Sequence, residues 1–113
     1  MPDVKSARLL RIHFSEGKVF QGKPLQESII GKCRELGIAG ASVFRGLEGF
    51  GETAEMHRRR VLHPDLPLVI VIVDEAAKLA RLIPEVERMM DSGLIAISDV
   101  KARRVTRGDL PRE

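Results

Sequence analysis

Three glycines fall within six residues in Arg45-Gly46-Leu47-Glu48-Gly49-Phe50-Gly51, the stretch of this chain best suited to chemistry. Backbone without side chains tolerates bulges and positive φ angles, and its N–H groups can receive a phosphate or the edge of a nucleobase. Basic residues are clustered as well. Arg58, Arg59 and Arg60 form one run, and Lys101, Arg103, Arg104 and Arg107 form another. Two such clusters on a small domain suit a phosphate-bearing partner, whether nucleotide or nucleic acid. Taken singly, each of these arginines is expected on a solvated loop or strand end.

The other candidates for chemistry are weaker. His57 and His63 stand six residues apart, a spacing that neither a helix nor a strand brings to one face, and no cysteine or carboxylate cluster supports them. No metal ligand is therefore assigned, and His13 is expected to face a neighbouring subunit. Cys33, the only cysteine, reads as a small buried hydrophobe rather than a nucleophile. Walker loops, nucleophile elbows, Cys-x-x-Cys pairs and His-Glu-x-x-His motifs are absent from the sequence, so no catalytic residue is assigned. Val19-Phe20-Gln21-Gly22-Lys23 loosely resembles the phosphate loop of acylphosphatases. The arginine that should follow is replaced by Pro24, Leu25 and Gln26, and the chain has no asparagine to orient water. That chemistry has no residues to carry it.

Any site must be positioned by the elements of one domain, because 113 residues are too few for two. We expect a single domain over 1–113 with an ordered core from about 7 to 105. Hydrophobic content of 43% beside 31% charged residues is globular rather than disordered. With four Phe and neither Trp nor Tyr, the core must be aliphatic. The longest apolar run, Leu68 to Val73, is far short of the roughly 20 residues that span a bilayer. The first residues lack the order of a signal peptide, and a cytoplasmic protein without membrane insertion is expected.

Periodicity supplies the elements. Arg8 to Phe14 alternates, with Leu10, Ile12 and Phe14 on one face, as in a half-buried strand. After a loop over 15–23, Pro24 suits a first helical turn. Leu25, Ile29, Cys33 and Leu36 then recur at helical spacing, and Gly37 can close the helix in the left-handed conformation. Ala39 to Phe44 reads as a second strand, followed by a long polar loop over 52–66. A loop of that length inside a compact domain is expected to be functional.

Leu68 to Val73 is apolar on both faces and should be covered on both. Asp74 is placed to cap a second helix with the stripe Leu79, Leu82, Ile83, Val86, Met89 and Met90. Pro84 should kink or split that helix. A last strand over Leu94–Ile97 and Val100–Val105 is expected to bulge at Ser98-Asp99. This order, strand-helix-strand-strand-helix-strand, predicts an α+β ferredoxin-like sandwich with a four-stranded antiparallel sheet and both helices on one face. The second face of the sheet would be covered by oligomerisation.

Four segments carry a family resemblance: Gly22 to Leu25 (GKPL), Gly37 to Ala41 (GIAGA), Arg45 to Gly51 (RGLEGFG) and Asp65 to Ile70 (DLPLVI). Together, and over about Ala7 to Val105, they resemble an uncharacterised bacterial and archaeal family of the PII-like (GlnB-like) superfamily. The resemblance implies a trimer whose sheets pack around the threefold axis, with an adenine nucleotide in the cleft between subunits. Carried over position by position, it implies ligand contacts from Ser92 and Gly93, from Arg103 and Arg104, and from Gly49 and Gly51. The 52–66 loop becomes the partner-contacting element.

The sequence departs from the PII pattern in two places. Asp91-Ser92-Gly93-Leu94 has one glycine, an acidic residue and no lysine where PII proteins have two glycines and a lysine, and the modifiable tyrosine is missing. AMP or a cyclic nucleotide is therefore as good a ligand as ATP. No required cofactor is implied. The leading expectation is a non-enzymatic trimeric signalling protein binding a small anion, an adenine nucleotide above all, and an unidentified protein partner. Second comes a CutA-like divalent-metal protein using His57, His63 and Glu55. Third is nucleic-acid binding, disfavoured because the strands offer only Phe14 and Phe44 for base stacking.

Overall fold

The computed structural model describes residues 4–47 and 65–105, so Gly49, Gly51 and most of the 52–66 loop lie outside it. The elements run β1 (Val4–Ser15), β2 (Val19–Phe20), β3 (Lys23–Pro24), α1 (Leu25–Glu35), β4 (Ser42–Arg45), β5 (Pro67–Asp74), α2 (Ala76–Met89) and β6 (Leu94–Arg103). Four strands make one antiparallel sheet in the order β4-β5-β1-β6. This is the ferredoxin-like arrangement anticipated from the element order.

Alternation along the strands decides which side is the core. Leu10, Ile12 and Phe14 of β1 and Leu68, Ile70 and Ile72 of β5 are buried, and they meet Leu25, Ile29 and Cys33 of α1 and Leu79, Leu82, Val86 and Met89 of α2. Burial of an aliphatic side chain contributes about 1.5–3 kcal/mol, and this aliphatic cluster is what holds the helices on the sheet. Burial also pushes the Cys33 thiol up to about 11, because the thiolate would lose its hydration. At pH 8, iodoacetamide should therefore leave Cys33 unmodified in the folded protein and alkylate it in guanidinium, as read by intact mass. Alkylation of the folded protein at the rate of a free thiol would place Cys33 on the surface.

The opposite face carries Leu9, Arg11 and His13 of β1, Val69, Val71 and Val73 of β5, Ser42 and Phe44 of β4, and Leu94 and Ala96 of β6. No described element covers it. Phe44 and Leu94 are 57% and 60% exposed, and Val73 is exposed too. Phe14 points the other way, into the core. The two-sided cover expected for Leu68 to Val73 is therefore supplied by the protomer on one side only, with Val69 and Val71 half-buried.

Several local expectations are corrected. Residues 15–23 hold a small hairpin, β2 with β3, turned by Gln21 and Gly22 at φ 51° and 82°, the two positive angles of a type I′ turn. Pro24 precedes α1 as its cap residue rather than opening its first turn. The second strand starts at Ser42, not Ala39, because the Ala39 N–H donates to Asp74 Oδ2 at 2.9 Å instead of to a ladder. Asp74 thereby misses the capping role; its other oxygen accepts from the Glu75 N–H at 2.7 Å, and Glu75 stands at the cap of α2.

Pro84 does not split α2, which runs unbroken to Met89. Pro84 is exposed, so the carbonyl it orphans faces water, while the buried stripe outweighs a cost of about 3 kcal/mol. No bulge occurs at Ser98-Asp99, since β6 keeps one register against β1 from Leu94 to Arg103. Gly37 does close α1 as expected, at φ 75° with the Ile38 N–H donating to the Cys33 carbonyl at 2.9 Å, a Schellman pattern.

Candidate functional site

Strand direction sorts the predicted site residues between the two ends of the sheet. β1 and β4 end, and β5 and β6 begin, at the same edge. That edge gathers the Ser15–Lys18 turn, Gly46 and Leu47, Asp65 and Leu66, and the Asp91–Gly93 turn before β6. Ser92 and Gly93 thus share an end with the start of the glycine-rich segment. Gly49 and Gly51, further along that segment, are outside the described residues. Arg103 pairs with Val4 at the opposite end of β6, and Arg104 follows; both are exposed. Ten strand residues at about 3.3 Å each put roughly 30 Å between the two groups. One protomer does not bring them together.

Gly93 is held tightly. Its φ is 132°, and a Cβ there would lie 2.5 Å from the His13 carbonyl oxygen and 2.4 Å from Met90 Cε. Only glycine lets the turn come this close to the end of β1. Gly46 is similarly constrained: its N–H donates to the Pro67 carbonyl at 2.8 Å, and a Cβ would meet Pro67 Cγ at 2.8 Å.

The Ser15–Lys18 turn joins these segments to one another. The Glu16 N–H donates to the Leu66 carbonyl at 2.8 Å, and the Gly17 N–H donates to Asp65 Oδ1 at 2.8 Å. Arg45 donates from Nη2 to Glu16 Oε2. Lys18 Nζ lies 3.3 Å from Asp91 Oδ1. Both flanks of the glycine-rich segment and long loop, and the Asp91–Gly93 turn, are therefore tied to four consecutive residues. A hydrogen bond from Lys18, with its charge and with Ser92 adding a smaller part, holds the Asp91 carboxyl below the usual carboxylate range.

Asp91 stands out in the sequence only as the acidic departure from the PII pattern and Asp65 only as the start of a resemblance segment, and nothing in the sequence marks Glu16 or Lys18. Gly17 falls within the loop expected over 15–23.

At the other end, Arg8 Nε pairs with Asp99 Oδ1 at 3.0 Å. Ser6, Arg8, Ala76, Asp99 and Lys101 line an open cleft of about 470 Å³ on the helix side of β1 and β6. The described residues contain no group of three or more His, Cys, Asp or Glu side chains placed to hold a metal. His57, His63 and Glu55 of the metal reading are outside them. No helix among the described residues is long and apolar enough to cross a membrane.

Known proteins sharpen this picture. A UPF0166 protein of Aquifex aeolicus is 37% identical over 100 residues, covering 87% of this chain and 94% of that one. Among solved structures, CPII of Thiomonas intermedia K12, determined with ADP and bicarbonate, superposes with a TM-score of 0.70. It is 16% identical, over 89% of this chain and 92% of its own. The divalent cation tolerance protein CutA of Archaeoglobus fulgidus gives 0.58 at 13% identity, over 90% and 89%. The fold is thus PII-like, with the CutA likeness the weaker. The model of the DUF190 family, described as "Uncharacterized ACR, COG1993", matches residues 7–102, and this chain belongs to that family.

Proposed function

We propose that the protein is a non-enzymatic, cytoplasmic signalling protein that works as a homotrimer. It binds an adenine nucleotide in the cleft between subunits and meets a protein partner through the 52–66 loop. The observation that carries this reading is the PII-like fold, shared over most of the chain with a protein solved holding ADP. Two geometric facts support it. No described element covers the sheet face that carries exposed Phe44, Val73 and Leu94, and the two basic or bare-backbone groups sit at opposite ends of β6. In a closed ring, the Arg103–Arg104 end of one copy meets the Gly93 end of the next, and neither end suffices alone. A ligand that binds better to one arrangement of the loop would set the switch.

The test is a thermal-shift panel of ADP, AMP, ATP, cyclic AMP and divalent cations on protein whose mass is known from light scattering. A micromolar ligand at millimolar concentration stabilises by about 4 kcal/mol, a rise of more than roughly 10 °C in a domain of this size. Arg103→Ala with Arg104→Ala should remove that rise and leave the unliganded Tm and the oligomeric mass unchanged. Loss of the fold in this double variant would make the arginines structural. A shift with divalent cations and none with nucleotides would move the function to the CutA-like class. Nucleic-acid binding is disfavoured further, since Phe44 is the one aromatic of the described strands exposed on the open face.

A further inference from the structure

The Asp91–Gly93 turn has no cation of its own, yet one stands beside it. Lys18 comes from the β1–β2 turn, 73 positions before Asp91 in the chain, and its ammonium reaches Asp91 Oδ1 at 3.3 Å. Its backbone is fixed from both sides: the Lys18 N–H donates to the Ser15 carbonyl at 3.0 Å, and the Leu25 N–H donates to the Lys18 carbonyl at 2.9 Å. Only the side chain has to move for Lys18 to change partners. Asp91 is the freer member, its side chain 81% exposed against 34% for Lys18. Among the described residues at this end, Arg45 is engaged with Glu16 and Asp65 with the Gly17 N–H.

We infer that Lys18 is a ligand-binding residue of the nucleotide site, supplying the phosphate-contacting cation of the Asp91–Gly93 turn, and that Asp91 is the internal anion a ligand phosphate displaces. The inference rests on the nucleotide reading above and deepens it. Lys18 and Ser92 both already favour a negative charge at this spot, as their effect on Asp91 shows.

Displacement has a consequence for ligand class. A singly charged cyclic phosphate would exchange one anion for another, with little net Coulombic gain. A terminal phosphate carrying close to two charges, or a diphosphate, gains on the exchange. The site therefore selects nucleotides with a terminal phosphate over cyclic ones.

Calorimetry with ADP and with cyclic AMP tests this on the full chain, for the wild type, Lys18→Met, Lys18→Arg, Asp91→Asn and Arg103→Ala/Arg104→Ala. Lys18→Met should weaken ADP binding by roughly tenfold or more with Tm and oligomeric mass unchanged, and Lys18→Arg should restore most of it. Asp91→Asn should tighten both ligands, cyclic AMP by the larger factor, so that discrimination falls. If Lys18→Met binds ADP like the wild type while the double arginine variant does not, Lys18 is overturned and the nucleotide site stands. If the wild type binds neither ligand, both inferences fall together.

Discussion

Gly93→Ala should be among the most damaging single substitutions in this protein, costing at least ~2 kcal/mol of stability and lowering Tm by roughly 10 °C. Two costs combine. The φ of 132° belongs to a region that residues with a Cβ rarely occupy. The added methyl would also stand 2.5 Å from the His13 carbonyl oxygen. Met90, the other obstacle at 2.4 Å, has a flexible side chain and can swing away. The carbonyl cannot, because His13 is held in β1 between β5 and β6. Relief would require the start of β6 to shift, with Leu94 leaving its pairing to His13. Thermal unfolding of the unliganded protein measures the effect. Gly40→Ala is the control, since a Cβ there meets nothing within 4 Å. Equal Tm values for the two variants would show that the turn is free to relax.

Val71→Asp should convert the proposed trimer to monomers while leaving the protomer folded. Val71 lies on the open face of the sheet, paired with Arg11 on one side and Ser42 on the other. The core is on the opposite face, so the carboxylate enters no buried cluster of its own chain. Arg11, directly across the ladder, offers it an opposite charge worth about 0.2–1 kcal/mol. Between subunits the balance reverses. In the proposed trimer a carboxylate carried into the apolar interface would cost several kcal/mol, and threefold symmetry would repeat that cost in each subunit. Light scattering should report the monomer mass, with a cooperative thermal transition retained. An unchanged oligomeric mass would show that this face is not the interface.

The sheet, the helices and the core were largely legible in the sequence, and the reason can be seen in β1. Leu10, Ile12 and Phe14 alternate with Leu9, Arg11 and His13, and the structure buries the first three. The stripes of α1 and α2 likewise became the buried residues at Leu25, Ile29, Cys33, Leu79, Leu82, Val86 and Met89. Where local reading failed, a partner from elsewhere in the chain had intervened. Asp74 has the residue type and place of a cap, but the Ala39 N–H, 35 positions away, took one of its oxygens. Pro84 carries a strong local signal for a break, and packing of the stripe around it overrode that signal. The stretch 15–23 gives no strand signal because its strands are only two residues long, too short for periodicity to register.

The candidate site shows the same division. Ser92, Gly93, Arg103 and Arg104 came from resemblance, and the last strand expected from the sequence already separates the first two from the last two, as β6 does. By itself the amino-acid order determined the element types, the aliphatic core, the family and the scarcity of catalytic groups. The family came from resemblance in four short segments; the others are written in residue type and in periods of two or about 3.6 within a dozen positions. Only the tertiary structure decided that Lys18 meets Asp91, that Glu16 meets Arg45, that Gly17 meets Asp65 and that His13 forbids a side chain at Gly93. These pairings follow from strand order and register, which bring residues tens of positions apart to within 3.5 Å and depend on the whole sheet closing at once.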